Sequence, residues 1–184
     1  MSDENGVTHY DAMPIAPLDT HTTYFEAGSI RIGVEYRLLD DEIAEASSTQ
    51  PAQGDDPGNQ TPGQDRGVSL HVYGCEDGEM LECIRFDCFD EDPHYHYIGW
   101  AEKTNQMIHI DPVAQGDPLK WALDCIHHRL AAMLRRAGAP SAAVLVEPER
   151  IESILPRIAE AAYRARFDHN DEAIRETALE GNGP

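Results

Sequence analysis

The sequence predicts an α+β fold, in which an antiparallel sheet of about five short strands is covered on one face by two C-terminal helices. Two observations lead to this class. Several short segments before residue 116 alternate apolar and charged residues, which is the pattern of half-buried strands. After residue 116, apolar residues recur at spacings of three and four, which is the pattern of amphipathic helices. The helices are expected to pack on the apolar face of the sheet, so that no helix covers the other, polar face.

The N-terminal part of the chain supplies one strand between two polar segments. Residues 1–27 are polar and are interrupted by Pro14 and Pro17, so they are predicted to form an extended N-terminal arm. Residues 29–39 alternate strictly between apolar and charged side chains, which predicts the first strand. Residues 42–67 are rich in Pro, Gly, Gln, Asp, Ser and Thr, and this composition predicts a flexible acidic insertion in a loop.

Four further strands are predicted before the helices begin. Residues 68–73 and 80–89 are apolar runs separated by the turn-forming segment 74–78, which predicts a hairpin. Residues 94–100 and 107–111 give two more short strands. Because consecutive strands joined by short turns usually pair, the sheet is expected to be an antiparallel meander.

Two helices are predicted after the sheet. Asp117 is a good N-cap and Pro118 suits the first helical position, so the first helix is expected to run from there until Gly138. Residues 153–167 are predicted to form the second helix. Residues 168–184 are charged and are expected to form a polar C-terminal tail.

Composition limits the class of protein and its partners. The chain has 184 residues, and residues 28–167 are predicted to form its one domain. A formal net charge of −20 opposes binding to phosphate backbones and to anionic lipid, so no nucleic acid and no membrane partner is expected. There is neither a signal-peptide pattern nor an apolar run of about 20 residues, which predicts a cytoplasmic location. The cysteines form no CxxC pair and are expected to be reduced.

One window of the sequence is dense in residues that carry chemistry. Residues 85–97 contain two histidines, an arginine, two tyrosines and several carboxylates. On a strand, His94 and His96 point the same way, so both imidazoles can reach one metal ion. Imidazoles with a carboxylate suit Zn²⁺ or Fe²⁺. The further ligands expected from neighbouring strands are Asp87 and one of His71 or His109.

The sequence leaves two functions open. The leading hypothesis is an accessory or partner-binding subunit, which joins another protein subunit or forms a homo-oligomer, because polar arms gain order by lying on something else. The alternative is a Zn²⁺- or Fe²⁺-dependent enzyme of hydrolase or oxygenase type. In that enzyme Arg85 would orient an anionic substrate, and Tyr95 or Tyr97 would lie nearby. A third interpretation, a charged sheet face that is merely solvated, also stays open.

Overall fold

The structure is a computed structural model that describes residues 6–10, 12–39, 43 and 65–180. It confirms the α+β class, but the sheet has seven strands instead of about five. All neighbouring strands are antiparallel, in the order β1-β7-β6-β5-β4-β3-β2. The strands are β1 (Val7–Tyr10), β2 (Thr23–Ala27), β3 (Ile30–Leu39), β4 (Asp65–Glu76), β5 (Glu79–Phe89), β6 (His94–Gly99) and β7 (Thr104–His109).

Both additional strands lie in the segment that was predicted to be an extended arm. Strand β2 pairs with β3 through a two-residue turn at Gly28 and Ser29, where Gly28 has a φ of +66°. Glycine adopts this left-handed conformation readily, and a glycine in the first central position is typical of tight hairpins. Strand β1 pairs with β7 at the opposite edge of the sheet. Pro14 and Pro17 interrupt only the segment between these two strands, so they do not prevent either pairing.

The central hairpin sets the register on which the candidate site depends. The turn between β4 and β5 consists of Asp77 and Gly78, whose φ angles are +51° and +87°. Positive φ at both central positions is typical of a type I′ turn, and Asp-Gly is one of its preferred sequences. The pairing places Ser69 opposite Asp87, and the next pairing places Asp87 opposite His94. Side chains from three neighbouring strands therefore meet on one face.

Six helices follow the sheet, where two were predicted. The predicted first helix is divided at Arg129, whose φ and ψ of −128° and −1° interrupt the helical conformation. The longest helix begins at Pro148, five residues before the predicted start, and the last helix lies within the predicted tail. The helices are α1 (Pro112–Gln115), α2 (Pro118–His128), α3 (Leu130–Arg136), α4 (Pro140–Val144), α5 (Pro148–Phe167) and α6 (Asp171–Glu180).

The main hydrophobic core lies between the helices and one face of the sheet. Helix α5 packs across β2, β3 and β4, while α2 packs on β5 and α4 on β4. Ile32, Leu70, Ile84 and Phe86 point from successive strands into this core and are fully buried. In the described part of the chain, no helix is both long and apolar enough to cross a membrane.

The predicted acidic insertion falls mostly outside the described residues. Of residues 42–67, the structure describes residue 43 and residues 65–67, and the latter three form the start of β4. The insertion therefore stays a prediction.

Candidate metal centre

The sequence predicted that nothing covers the polar face of the sheet. In the structure this face is buried. Nine of its residues are at most 8% exposed, and the tenth, Arg37, is 9% exposed. Such groups are costly to remove from water unless they find partners, so a face this rich in them needs a physical explanation. The ten residues are Glu35, Arg37, Ser69, His71, Glu82, Arg85, Asp87, His94, His96 and Asn105.

The segment between β1 and β2 crosses this polar face, and we call residues 12–22 the strap. At one end the amide Nδ2 of Asn105 on β7 donates to the backbone oxygen of Ala12, at 3.0 Å. At the other end the backbone N–H of Leu18 donates to Glu35 on β3, at 2.9 Å. The strap is therefore hydrogen-bonded to β7 at one end and to β3 at the other.

Three side chains on the polar face present metal-ligating atoms to one another. Nε2 of His94 lies 3.4 Å from Oδ2 of Asp87, and Nε2 of His96 lies 3.5 Å from the same oxygen. The ligand atoms of the three residues all lie within 4.8 Å of one another. We call Asp87, His94 and His96 the triad. In the described part of the chain, this is the group of His, Cys, Asp and Glu side chains whose geometry suits a metal ion.

Hydrogen bonds outside the triad fix the orientation of both imidazoles. Nδ1 of His94 lies 2.7 Å from the backbone oxygen of Asp92, and Nδ1 of His96 lies 2.8 Å from Oδ1 of Asn105. Because both partners only accept hydrogen bonds, each ring carries hydrogen on Nδ1. In a neutral ring, the lone pair of Nε2 then points toward Asp87. Two nitrogen lone pairs and a carboxylate oxygen repel one another. The arrangement is therefore stable only when a positive charge, either a proton or a metal cation, lies between them.

The carboxylate of Asp87 is held by two further side chains. The hydroxyl of Ser69 donates to Oδ1, and Nη1 of Arg37 lies 3.6 Å from the same oxygen. Nε of Arg37 lies 3.6 Å from Oε2 of Glu35, so this guanidinium joins the two carboxylates. Oδ1 of Asp87 is thus engaged by Ser69 and Arg37, which leaves Oδ2 to face the two imidazoles.

The charges around the triad favour an ionised carboxylate. Burial alone would raise the pKa of Asp87, but the hydrogen bonds with His94 and His96 and the charge of Arg37 hold it well below its usual range. Burial alone would lower the pKa of His94, but the hydrogen bond and the charge of Asp87 raise it instead. Asp87 is therefore negative at neutral pH, which is the state in which a carboxylate binds a metal ion.

A second group of buried ionisable side chains lies beside the triad, and we call it the inner ion network. It consists of Glu35, His71, Glu82 and Arg85. Both oxygens of Glu82 accept from Arg85, at 2.8 and 2.7 Å, and Oε1 also lies 2.7 Å from Nδ1 of His71. Nε2 of His71 lies 3.1 Å from Oε2 of Glu35. Each side chain of this network therefore has a hydrogen-bonding partner within the network.

The structure brings together three of the residues predicted for the site and places the others elsewhere. His71 and Arg85 belong to the inner ion network. The guanidinium of Arg85, which was expected to bind substrate, donates two hydrogen bonds to Glu82 instead. The side chain of His109 is 53% exposed and pairs with a carboxylate of the β5–β6 loop at 2.7 Å. Tyr95 and Tyr97 point to the opposite face, against the hydrophobic core.

Sequence reasoning missed three residues that support the triad. Arg37 and Ser69 alternate with apolar residues on their strands, so the pattern placed them on the polar face but did not indicate that they contact Asp87. Asn105 falls between the predicted strands 94–100 and 107–111, whereas β7 begins at Thr104 and buries the Asn105 side chain. For Asn105, the local sequence carried no signal of its role.

The fold and the triad define an α+β protein with a buried Asp-His-His cluster on one face of an antiparallel sheet. The chain belongs to the family described as "Domain of unknown function (DUF7700)", which matches residues 24–162. This match includes the triad and Asn105, and it begins after the strap. No curated protein and no solved structure matches the chain.

Proposed function

We propose that this protein is a metal-dependent enzyme in which Asp87, His94 and His96 bind one Zn²⁺ or Fe²⁺ ion. The observation that carries the proposal is the convergence of two imidazole Nε2 atoms on one oxygen of a buried, ionised carboxylate. Neutral imidazole and carboxylate are the ligand types that both metals accept. The hydrogen bonds on the two Nδ1 atoms supply the outer contacts that metal-binding histidines usually have.

The distances in the triad are compatible with a metal ion between the three ligand atoms. Zinc binds histidine nitrogen at about 2.0–2.1 Å and carboxylate oxygen at about 2.0–2.2 Å, so a nitrogen and an oxygen ligand of a tetrahedral site are separated by roughly 3.3–3.5 Å. The two nitrogen-to-oxygen distances to Asp87 are 3.4 and 3.5 Å. Each of these two distances therefore suits a metal ion that bridges an imidazole and Asp87.

The number of ligands favours a catalytic role over a structural one. Structural zinc sites usually have four protein ligands, whereas catalytic sites have three and leave a position for water or substrate. Two histidines and one carboxylate are also the ligand set of many non-haem Fe²⁺ oxygenases. A metal at this position would activate a bound water for hydrolysis, or bind oxygen. The enzyme is accordingly proposed to be of hydrolase or oxygenase type.

Metal analysis of protein purified without a histidine tag tests this proposal. After incubation with Zn²⁺, or with Fe²⁺ under anaerobic conditions, and removal of free metal, we expect about one ion per chain. The double variant His94→Ala, His96→Ala should retain none. His109→Ala is the matched control, because this exposed ring is next to the triad but is not a ligand. One ion per chain in the double variant, or no bound ion in the wild-type protein, would refute the assignment.

A role as an accessory or partner-binding subunit is the second proposal. It is supported by apolar side chains that are exposed on helices α1, α4 and α5, namely Val113, Val144 and Phe167, which are 97%, 76% and 79% exposed. The native mass in a cell lysate distinguishes the cases, since a free monomer of 20.4 kDa would contradict this role. For both proposals we place the protein in the cytoplasm, because the four cysteines are free thiols.

A further inference from the structure

The side chain of Asn105 connects the strap to the triad through two hydrogen bonds. Its Nδ2 donates to the backbone oxygen of Ala12, at 3.0 Å. Its Oδ1 accepts from Nδ1 of His96, at 2.8 Å. Asn105 is only 5% exposed, so water cannot easily replace either partner.

The strap thereby determines which way the amide of Asn105 is turned. A carbonyl oxygen can only accept, so the contact with Ala12 requires the NH₂ group on that side. The oxygen of the amide must then face His96, which requires hydrogen on Nδ1 of that ring. Only this tautomer directs the lone pair of Nε2 into the triad. If the strap left the sheet, the amide could rotate and the ring could adopt the other tautomer.

The other imidazole of the triad lacks this dependence. Nδ1 of His94 donates to the backbone of Asp92, which is only two residues away in the β5–β6 loop. The orientation of His94 is therefore fixed locally, whereas that of His96 depends on Ala12, which lies 93 residues before Asn105 in the sequence.

The opposite end of the strap also leads to the triad. The N–H of Leu18 donates to Oε1 of Glu35, and the other oxygen of Glu35 lies 3.6 Å from Nε of Arg37. Arg37 in turn lies 3.6 Å from the carboxylate of Asp87. Both ends of the strap are thus linked to a triad residue through side chains that are at most 9% exposed.

We propose that the strap is part of the metal site, with Asn105 as a positioning residue that transmits its placement to His96. This inference rests on the proposed metal binding by the triad. Zn²⁺ binding and seating of the strap then stabilise each other, and thermodynamic linkage requires the two effects to be equal. Loss of an outer-shell partner of a metal-binding histidine typically weakens metal affinity by about 10–100-fold. Zn²⁺ should therefore reduce opening of the strap by about the same factor.

The test uses the full chain and Zn²⁺ as the ligand. Zn²⁺ affinity is measured by competition with a chromogenic chelator, and strap opening by hydrogen exchange of the Leu18 amide, whose N–H donates to Glu35. In the wild-type protein Zn²⁺ should slow this exchange by about 10–100-fold. In Asn105→Ala the affinity should fall by a similar factor, and the slowing of exchange by Zn²⁺ should become smaller, since only the link through Glu35 and Arg37 remains. Nitrogen NMR of the metal-free protein should show mixed tautomers for His96 in this variant, with His94 unchanged.

Two control comparisons separate this role from a general loss of structure. Gln106→Ala removes a neighbouring side chain of β7 that bonds to Arg136 on the opposite face, and it should leave both measurements unchanged. Leu18→Pro removes the donor to Glu35 without altering the sheet, since the φ of −80° at this position suits proline. It should weaken Zn²⁺ binding, whereas Leu18→Ala retains the N–H and should keep both the affinity and the exchange rate.

The outcomes distinguish this inference from the proposed function. Wild-type protein that binds no Zn²⁺ would overturn the metal site, and the role of the strap with it. Zn²⁺ binding that leaves exchange in the strap unchanged, or that is equally tight in folded Asn105→Ala and Leu18→Pro, would overturn only the role of the strap.

Discussion

The inner ion network makes a quantitative prediction for the variant Glu82→Gln. The carboxylate of Glu82 is buried and accepts two hydrogen bonds from Arg85 and one from His71. Burial alone would raise its pKa, but the charge of Arg85 and the hydrogen bonds from His71 and Arg85 lower it to about 2, from an ordinary value of 4.5. At 1.36 kcal/mol per pKa unit, this difference corresponds to about 3 kcal/mol of stability.

The sign of the pH dependence follows from the direction of the shift. The pKa of Glu82 is lower in the folded protein than in the unfolded chain, so the ionised carboxylate stabilises the folded state. This contribution is complete above about pH 5.5 and is lost as the pH falls through 4.5 toward 2. Glu82→Gln should lower the free energy of unfolding by about 3–5 kcal/mol at pH 7, because it leaves Arg85 buried without its counter-charge. The difference from wild type should shrink steadily with acidification.

Urea unfolding at pH 7, 5, 4 and 3 measures this difference. Glu79→Gln is the matched control, because Glu79 lies on the same strand and is exposed. It should change stability by less than about 0.5 kcal/mol at every pH. A loss of less than about 1 kcal/mol for Glu82→Gln at pH 7, or a loss that does not change between pH 7 and pH 3, would refute the reasoning.

Two further predictions concern the sheet and its thiols. A Cβ at Gly74 would overlap the Cβ of Ala142 in α4, so Gly74→Ala should lower the free energy of unfolding in urea by about 1–3 kcal/mol. Adding Ala142→Gly should recover part of this loss, and a double variant whose effects are simply additive would contradict the overlap. Burial raises the pKa of the Cys83 thiol to about 11 and that of Cys88 well above its usual range. A thiol reagent at pH 8 should therefore modify half-buried Cys75 first, and equal rates of modification of the three thiols in the folded protein would contradict this.

The sequence predicted the central meander and the triad because both depend on local alternation. Strands β3 to β7 are the five that the alternating pattern indicated, with shifted ends. Since side chains alternate along a strand and hairpins pair consecutive strands, Asp87, His94 and His96 were expected on one face, and they lie there. Such contacts follow from periodicity and turn length alone.

The remaining features depend on contacts between distant parts of the chain. The prolines of the strap predict an extended arm. Nothing in the residues of the strap indicates that it crosses a sheet built from residues far later in the sequence. The pairing of β1 with β7 and the bond of Asn105 to Ala12 both span more than 90 residues. The sequence therefore predicted a polar face that no element covers, whereas the strap in fact helps to bury it.

The two buried clusters should separate stability from function. Buried ion pairs often contribute little net stability, since desolvation offsets their attraction, but breaking one of them is costly. The carboxylate of Glu82 bonds to His71 and Arg85 and to no residue of the triad, so Glu82→Gln should unfold more easily and yet, while folded, still bind Zn²⁺. The triad instead directs ligand atoms at one another, so the double variant His94→Ala, His96→Ala should lose the metal and remain folded. If Glu82→Gln abolished Zn²⁺ binding without unfolding the protein, the two clusters would have to be one functional unit.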